Sequence, residues 1–161
     1  MREEGWKMEK IIVAAVLAGV ILLLVVILAV KRLQGADRRQ AFEDMEGHEF
    51  EYFCAELLRE RGFLEVEVTK GSGDYGIDIL AEKEGVTYAI QCKRYTAPVG
   101  VKAVQEAYAG RDYYDRMVGA VMTNQYFTTP AVEAAKKLKI LLWDGGYIEE
   151  MMEEQGRERI H

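Results

Sequence analysis

Hydrophobic and polar positions along the chain predict two unequal parts. Residues 11–30 form an uninterrupted run of twenty residues without a polar side chain, with Lys10 before it and Lys31 after it. As an α-helix, such a run would span about 30 Å, which matches the hydrocarbon core of a bilayer. The pattern therefore predicts one transmembrane helix over residues 11–30, preceded by an N-terminal tail of residues 1–10.

A cleaved signal peptide is the alternative interpretation of this run. The apolar region of a signal peptide usually has about 7–15 residues and ends in a small-residue cleavage site. This run is longer, and Lys31 and Arg32 follow it directly. Basic residues slightly favour the C-terminal flank, which predicts a cytoplasmic C-terminal part. The low cysteine content agrees with a reducing compartment, so we expect a single-pass membrane protein with a cytoplasmic domain.

After a polar linker over residues 31–41, the periodicity of apolar residues changes repeatedly between helix and strand. The predicted elements are a helix over 42–61, strands over 66–69, 77–81 and 86–93, a helix over 99–110, a strand over 117–122, a helix over 129–139, a strand over 140–143 and a helix over 147–155. The second and third strands read as an antiparallel hairpin. Thr129 reads as the cap of its helix. This order predicts an α/β fold with a mixed sheet flanked by helices.

Composition removes several functional classes. The 161 residues contain two cysteines, too few for a disulfide scaffold or a four-cysteine zinc site, and two histidines, too few for a His-rich metal site. The net charge of −6 excludes coating of nucleic acid by bulk positive charge, although a local basic groove stays open. Gly71, Gly73 and Gly76 lack both the spacing and the following helix of a phosphate-binding loop.

The candidate chemistry lies in the predicted hairpin. Asp78 interrupts an apolar strand, and Gln91 and Lys93, two residues apart, share one face of the partner strand. Mg²⁺ prefers oxygen ligands and keeps several waters. Asp78, Gln91 and the main-chain carbonyl of Cys92 are therefore candidate Mg²⁺ ligands, with Glu51 of the first helix as a second carboxylate. The alternative for Asp78 is a structural ion pair with Lys93.

The motifs around these residues resemble the Mrr-type restriction endonuclease family. The similar segments are Gly47-His48-Glu49-Phe50-Glu51 (opening helix), Gly71-Ser72-Gly73-Asp74-Tyr75-Gly76-Ile77-Asp78-Ile79-Leu80 (aspartate strand), Ile90-Gln91-Cys92-Lys93-Arg94-Tyr95 (Gln-x-Lys strand), Pro98-Val99-Gly100-Val101, Thr123-Asn124-Gln125-Tyr126-Phe127-Thr128 and Leu142-Trp143-Asp144. The resemblance covers about residues 42–144. Residues 145–161 remain as an acidic C-terminal segment.

The resemblance implies a PD-(D/E)XK nuclease fold with an αβββαβ core and Mg²⁺-dependent hydrolysis of DNA phosphodiester bonds. In this branch of the family, glutamine replaces the usual second acid. Carried over by position, Asp78 and Gln91 bind the metal, Lys93 is the catalytic lysine and Glu51 is the helix acid. The family also implies a homodimer and a role in restriction of foreign DNA.

Further residues are candidates for contact with DNA. Arg94 and Lys102 could supply local positive charge, and Tyr95 could contact sugars or unstacked bases. Asp74 and Asn124 lie in loops beside the expected site, where each is equally suited to forming a turn. Two other functions stay open: a membrane-tethered DNA-binding module without cleavage, and a structural or interaction protein.

Overall fold

The computed structural model describes residues 10, 13, 15–27, 29–30, 45–69 and 75–158, without the side chains of residues 154–158. The chain divides into two compact units, Met1–Ala41 and Phe42–His161.

In the first unit, residues 15–27 are helical and their side chains are exposed. Within the described residues, no helix has both the length and the apolar character needed to cross a bilayer. This finding does not support the transmembrane helix predicted over residues 11–30, of which residues 11, 12, 14 and 28 lie outside the described part.

The described part of the second unit contains a five-stranded mixed sheet flanked by helices. The helices are α1 (Gly47–Glu60), α2 (Val101–Tyr113), α3 (Thr129–Leu138) and α4 (Gly145–Glu158). The strands are β1 (Leu64–Val68), β2 (Ile79–Lys83), β3 (Val86–Lys93), β4 (Val118–Thr123) and β5 (Ile140–Trp143). The order in the sheet is β1-β2-β3-β4-β5, antiparallel from β1 to β3 and parallel from β3 to β5. The predicted α/β class and order of elements are confirmed.

The hairpin between β2 and β3 has a two-residue turn, shorter than the four-residue connection between the predicted strands. Glu84 and Gly85 have φ angles of 54° and 77°. Two consecutive positive φ angles identify a type I′ turn, whose twist matches that of the flanking strands. The turn sets the register in which Ile79 pairs with Ile90, and so determines which residues of β3 lie near Asp78.

Several boundaries differ from the sequence-based prediction. Helix α1 begins at Gly47 rather than at residue 42, and residues 42–44 lie outside the described residues. Strand β2 begins at Ile79, so Asp78 precedes the strand instead of lying within it. The cap of α3 is Thr128, not Thr129, because the Thr128 hydroxyl accepts the Ala131 N–H at 3.4 Å.

The two faces of the sheet carry separate apolar clusters. On one face, Ile90 packs with Phe50 and Leu58 of α1. On the other, Val121 packs with Val104 of α2. Successive residues of a strand point to opposite faces. The thiol of Cys92 therefore lies in the α1 cluster, whereas Gln91 and Lys93 point toward α2.

Helix α4 begins at a close approach between two main-chain segments. A Cβ atom on Gly145 would lie 2.6 Å from the carbonyl oxygen of Asn124. The Gly145 N–H also donates to the carbonyl of Gln125 at 3.1 Å. The neighbouring Gly146 is exposed, and its Cβ would meet only an Asp144 side-chain oxygen, at 3.4 Å. Only the first of these two glycines is required by packing.

We predict that Gly145→Ala lowers the free energy of unfolding by about 1–3 kcal/mol, because a main-chain oxygen cannot move aside as a flexible side chain can. Gly146→Ala is the matched control and should leave stability unchanged or raise it by up to about 1 kcal/mol, since alanine favours helix. Urea denaturation of both variants measures the difference. Equal stability of the two variants would show that the contact at Gly145 is unimportant.

Candidate active site

Asp78 lies where the hairpin of β2 and β3 opens. Ile79 is the ladder partner of Ile90, and the main-chain N–H of Asp78 also donates to the Ile90 carbonyl, at 2.9 Å. Two consecutive residues thus face Ile90, as in a β-bulge, which redirects the side chain of the extra residue. The Asp78 carbonyl in turn accepts the N–H of Thr69 at 2.9 Å. The main chain of Asp78 is therefore held from both sides.

The carboxylate of Asp78 is bound to strand β3. Its Oδ2 accepts the main-chain N–H of Cys92 at 2.6 Å and the side-chain amide of Gln91 at 2.9 Å. In a β-strand, the N–H and C=O of one residue point to the same side, as the exchange of both bonds in an antiparallel pair requires. The carbonyl of Cys92 consequently faces the same gap. The structure thus brings Asp78, Gln91 and the Cys92 main chain together.

The environment of Asp78 disfavours its charged form. Its pKa is raised from 3.8 to about 6, mainly because burial removes water from the carboxylate and also because Glu51 adds negative charge nearby. The Cys92 N–H, the Gln91 amide and the charge of Lys93 act in the opposite direction. Because these contacts do not offset the burial and the charge of Glu51, the negative charge of the carboxylate would be stabilised further by a bound cation.

Glu51 of α1 contributes its charge from the other side of this gap. Its side chain is about one-fifth exposed, and its Oε2 lies 2.7 Å from Nδ1 of His48. The sequence places His48 in the opening-helix motif but assigns it no role in the site. The i,i+3 spacing on a helix was the available signal for this contact. Glu51 thus lies close enough to affect the pKa of Asp78, and His48 orients its carboxylate.

Lys93 is paired with an acidic residue that the sequence did not single out. Its Nζ lies 3.1 Å from Oε2 of Glu106, on α2. Glu106 stands three residues after Ala103 and four before Gly110, both buried on α2. This helical spacing places Glu106 at the edge of the buried stripe, but only the fold shows that Lys93 lies opposite. The ion pair expected as an alternative, between Lys93 and Asp78, is replaced by one between Lys93 and Glu106.

The amide of Gln91 has one oxygen without a hydrogen-bond partner among the described residues. The side chain is only 2% exposed, and this atom, Oε1, is fully buried. Because Nε2 donates to Asp78, Oε1 faces Gly76, at whose Cβ position it would lie 3.0 Å away. A buried amide oxygen left unsatisfied costs about 1–3 kcal/mol. Rotation of the amide would turn this oxygen toward the Asp78 carboxylate.

The donor atoms fit a hard divalent cation. Asp78 and Gln91 offer side-chain oxygens and Cys92 a main-chain carbonyl, a set that suits Mg²⁺ with its retained waters. Among the described residues, no three His, Cys, Asp or Glu side chains form a cluster suited to a metal. The pKa of the Cys92 thiol is raised by its hydrogen bond with Cys54 and by burial, so the thiol is a poor ligand for a soft metal.

The candidates for DNA contact have different surroundings. The Asn124 amide bridges the main-chain N–H and carbonyl of Tyr95, both at 2.9 Å. Asn124 therefore braces the loop after β3, and its contact with DNA stays a prediction. Two of the candidates are accessible to solvent: the Tyr95 ring, in a residue that is 47% exposed, and the Lys102 ammonium, on a side chain that is 86% exposed. Arg94 is half-buried, and Asp74 lies outside the described residues.

Solved structures with the same fold include two restriction enzymes. The DNA modification-dependent restriction endonuclease AspBHI is 20% identical, with a TM-score of 0.57 over 73% of this chain and 33% of that chain. MspJI restriction endonuclease, solved in complex with a 27-mer oligonucleotide, is 21% identical, with a TM-score of 0.57 over 73% of this chain and 30% of that chain. This chain thus spans about a third of either enzyme, and at these identities the likeness shows the fold alone.

A third structure, the protein of unknown function AF1548, is 28% identical, with a TM-score of 0.59 over 69% of this chain and 67% of that chain. No curated protein matches the chain in sequence. The catalytic-domain model Mrr_cat, described as a restriction endonuclease, matches residues 42–152, which is more than half of the chain. The chain therefore belongs to the Mrr_cat family of restriction endonucleases.

Proposed function

We propose that the protein is a Mg²⁺-dependent endonuclease that hydrolyses phosphodiester bonds of DNA. One observation carries the proposal. The Asp78 carboxylate, the Gln91 amide, whose oxygen lacks a hydrogen-bond partner in the described structure, and the Cys92 carbonyl meet at one gap beside β3. Lys93 follows Cys92 directly on the same strand. Membership of the Mrr_cat family supports the class of reaction. The oligonucleotide bound to MspJI, which shares the fold, supports DNA as the substrate.

Asp78, Gln91 and the carbonyl of Cys92 would hold the cation, and Glu51 would add a second carboxylate from α1. When bound, Mg²⁺ would polarise the phosphate and lower the pKa of a water molecule bound to the metal. Gln91 is buried and Asp78 is partly buried, which limits the access of bulk water to this part of the site. The hydrogen bonds of Asp78 to β3 hold the carboxylate in place before any ligand arrives, which reduces the entropy lost on binding.

Lys93 would act as a fixed positive charge beside the scissile phosphate. Its ammonium can donate hydrogen bonds to the attacking water or to a phosphate oxygen. Negative charge that develops on the phosphate oxygens during attack is stabilised by such a preorganised donor. Water adds to phosphorus as the P–O3′ bond breaks, and the 3′ oxygen leaves as a hydroxyl after it gains a proton.

The surface around this site would provide weaker contacts to the DNA backbone. Lys102 is exposed on α2, and Tyr95 and Arg94 follow directly after β3. Positive side chains at such positions give sequence-independent, salt-sensitive affinity. This chain spans about a third of AspBHI and of MspJI, and we assign it neither a target sequence nor a dependence on base modification.

We expect Lys93→Met to reduce the rate of plasmid nicking by about 100- to 1,000-fold, the loss typical for removal of one preorganised charge donor. The full-length protein is incubated with supercoiled plasmid in Mg²⁺ or in EDTA. Lys136→Met, an exposed lysine of α3, is the matched control and should nick at the wild-type rate. DNA retention without metal-dependent nicking by the wild type would instead identify a binding module.

The raised pKa of Asp78 predicts a pH-dependent gain in stability for Asp78→Asn. The folded-state pKa of about 6 lies above the ordinary 3.8, so ionisation opposes folding. The stability contributed by Asp78 is present at low pH and is lost as pH rises through about 6. In EDTA, Asp78→Asn should therefore be more stable than the wild type by up to about 3 kcal/mol at pH 8, and by less at pH 5.

Mg²⁺ should offset most of this difference at pH 8. A ligand that binds only the folded state adds about 2.7 kcal/mol at a concentration 100 times its Kd. Thermal denaturation in EDTA and in saturating Mg²⁺ should show a rise in Tm for the wild type and none for Asp78→Asn. An identical Mg²⁺ response of both proteins would place the metal elsewhere.

Membrane attachment through residues 11–30, with the domain in the cytoplasm, stays a prediction from the sequence, as does the homodimer implied by the family. The full-length protein should sediment with membranes and resist extraction by alkaline carbonate, because a spanning helix is held by its apolar length. Deletion of residues 1–33 should release it. Recovery of the full-length protein in the carbonate supernatant would exclude the anchor.

A further inference from the structure

The ion pair between Lys93 and Glu106 crosses from the sheet to α2. Both side chains are largely covered: 20% of Lys93 and 28% of Glu106 is exposed. Ion pairs in such partly desolvated positions are stronger than those at the surface. By contrast, the second neighbour of Glu106, Lys102, lies at 3.5 Å with an 86% exposed side chain, where an ion pair contributes little. Glu106 is therefore primarily the partner of Lys93.

The side chain of Glu106 also lies next to Gly76, in the chain before Asp78. A Cβ atom on Gly76 would lie 3.0 Å from Gln91 Oε1 and 3.1 Å from the Glu106 Cβ. The two side chains thus border the same small space. Gly76 leaves that space open, and its positive φ of 79° disfavours any side chain there. The Glu106 side chain, whose carboxylate contacts Lys93, therefore also lies beside the Gln91 amide.

Lys93 has a competing acidic partner in Asp78. The two residues are close enough for the charge of Lys93 to lower the pKa of Asp78, although this is the smallest of the five influences on it. A lysine side chain has four rotatable bonds and reaches several directions. If its ammonium turned to Asp78, it would occupy the carboxylate that is proposed to bind the metal.

We propose that Glu106 is a positioning residue that draws the Lys93 ammonium away from Asp78 and so keeps the Asp78 carboxylate accessible to the divalent cation. The proposal rests on the proposed function, since it assigns Glu106 a task at the same metal site. It differs from a ligand role, because Glu106 acts here through Lys93 alone. The effect of removing its charge must therefore disappear when Lys93 is absent.

The test is a double-mutant cycle on metal affinity without DNA. Binding of Mn²⁺ to the full-length protein is followed by the loss of the free-ion electron paramagnetic resonance signal. Glu106→Gln should weaken Mn²⁺ binding about tenfold, within the usual range of coupling between contacting residues. In the Lys93→Met background, the same substitution should change the affinity by less than about twofold. Glu133→Gln, at an exposed position of α3, is the matched control and should have no effect.

Each other outcome contradicts the proposal. Equal weakening in both backgrounds would identify Glu106 as a ligand or a through-space charge, and an unchanged affinity would remove it from the site. If the wild type nicks plasmid and binds Mn²⁺, and Glu106→Gln binds Mn²⁺ with the same affinity, only the inference about Glu106 is refuted. A wild type that neither binds Mn²⁺ nor nicks DNA would refute the proposed function as well.

Two further measurements guard against a variant that fails to fold. Circular dichroism and Tm in EDTA establish that each protein is folded before titration. Glu106→Asp keeps the charge and should restore at least half of the binding free energy lost in Glu106→Gln. In metal-free protein, the ¹⁵N resonance of the Lys93 ammonium, assigned through Lys93→Met, should shift in Glu106→Gln and stay in place in Glu133→Gln. An unmoved resonance would contradict the ion pair.

Discussion

The hydrogen bond from the Cys92 main-chain N–H to the Asp78 carboxylate is the contact on which the arrangement of the site depends. At 2.6 Å it joins a residue that precedes β2 to Cys92, the next-to-last residue of β3. It exists because the ladder of β2 and β3 ends at Ile79 and Ile90, so the next N–H of β3 on that side needs another acceptor. A side-chain oxygen takes that place, and a negative charge is thereby built into the open end of a hairpin.

The charged side chains around Asp78 come from two helices on opposite faces of the sheet. Glu51 and His48 approach from α1, on the face where Cys92 packs into the apolar cluster. Lys93 meets Glu106 of α2 on the opposite face. The carboxylate of Asp78 lies at the strand edge between them, where it is partly buried and not paired directly with a cation of the described chain. Its pKa is raised mainly by this loss of contact with water, and also by the negative charge of Glu51.

Much of the architecture could be predicted from the sequence because it follows from local periodicity. The bounds of β3 and β5 agree with the alternating and continuous apolar runs over 86–93 and 140–143. The shared face of Gln91 and Lys93 follows from their spacing alone. The predicted hairpin placed Asp78 beside this pair, and the family resemblance then gave Glu51 the role of the helix acid.

What the sequence could not show depends on contacts between distant segments. Asp78 reads as a strand residue, and only the end of the ladder at Ile79 places it outside β2. Asn124 lies in a loop beside the site, but its amide is bound to the main chain of Tyr95, 29 residues away in sequence. Glu106 looks like an ordinary helical glutamate until the packing of α2 on the sheet brings it to Lys93.

The most direct test of this account is the position of a divalent cation in crystals of the protein soaked with Mn²⁺. We expect one anomalous-scattering peak within about 2.0–2.6 Å of an Asp78 carboxylate oxygen, the Gln91 amide oxygen and the Cys92 carbonyl. The amide should then have turned, with its nitrogen no longer donating to Asp78. A peak bound elsewhere, or the Gln91 nitrogen still on Asp78 in a protein that cleaves DNA, would contradict the central claim.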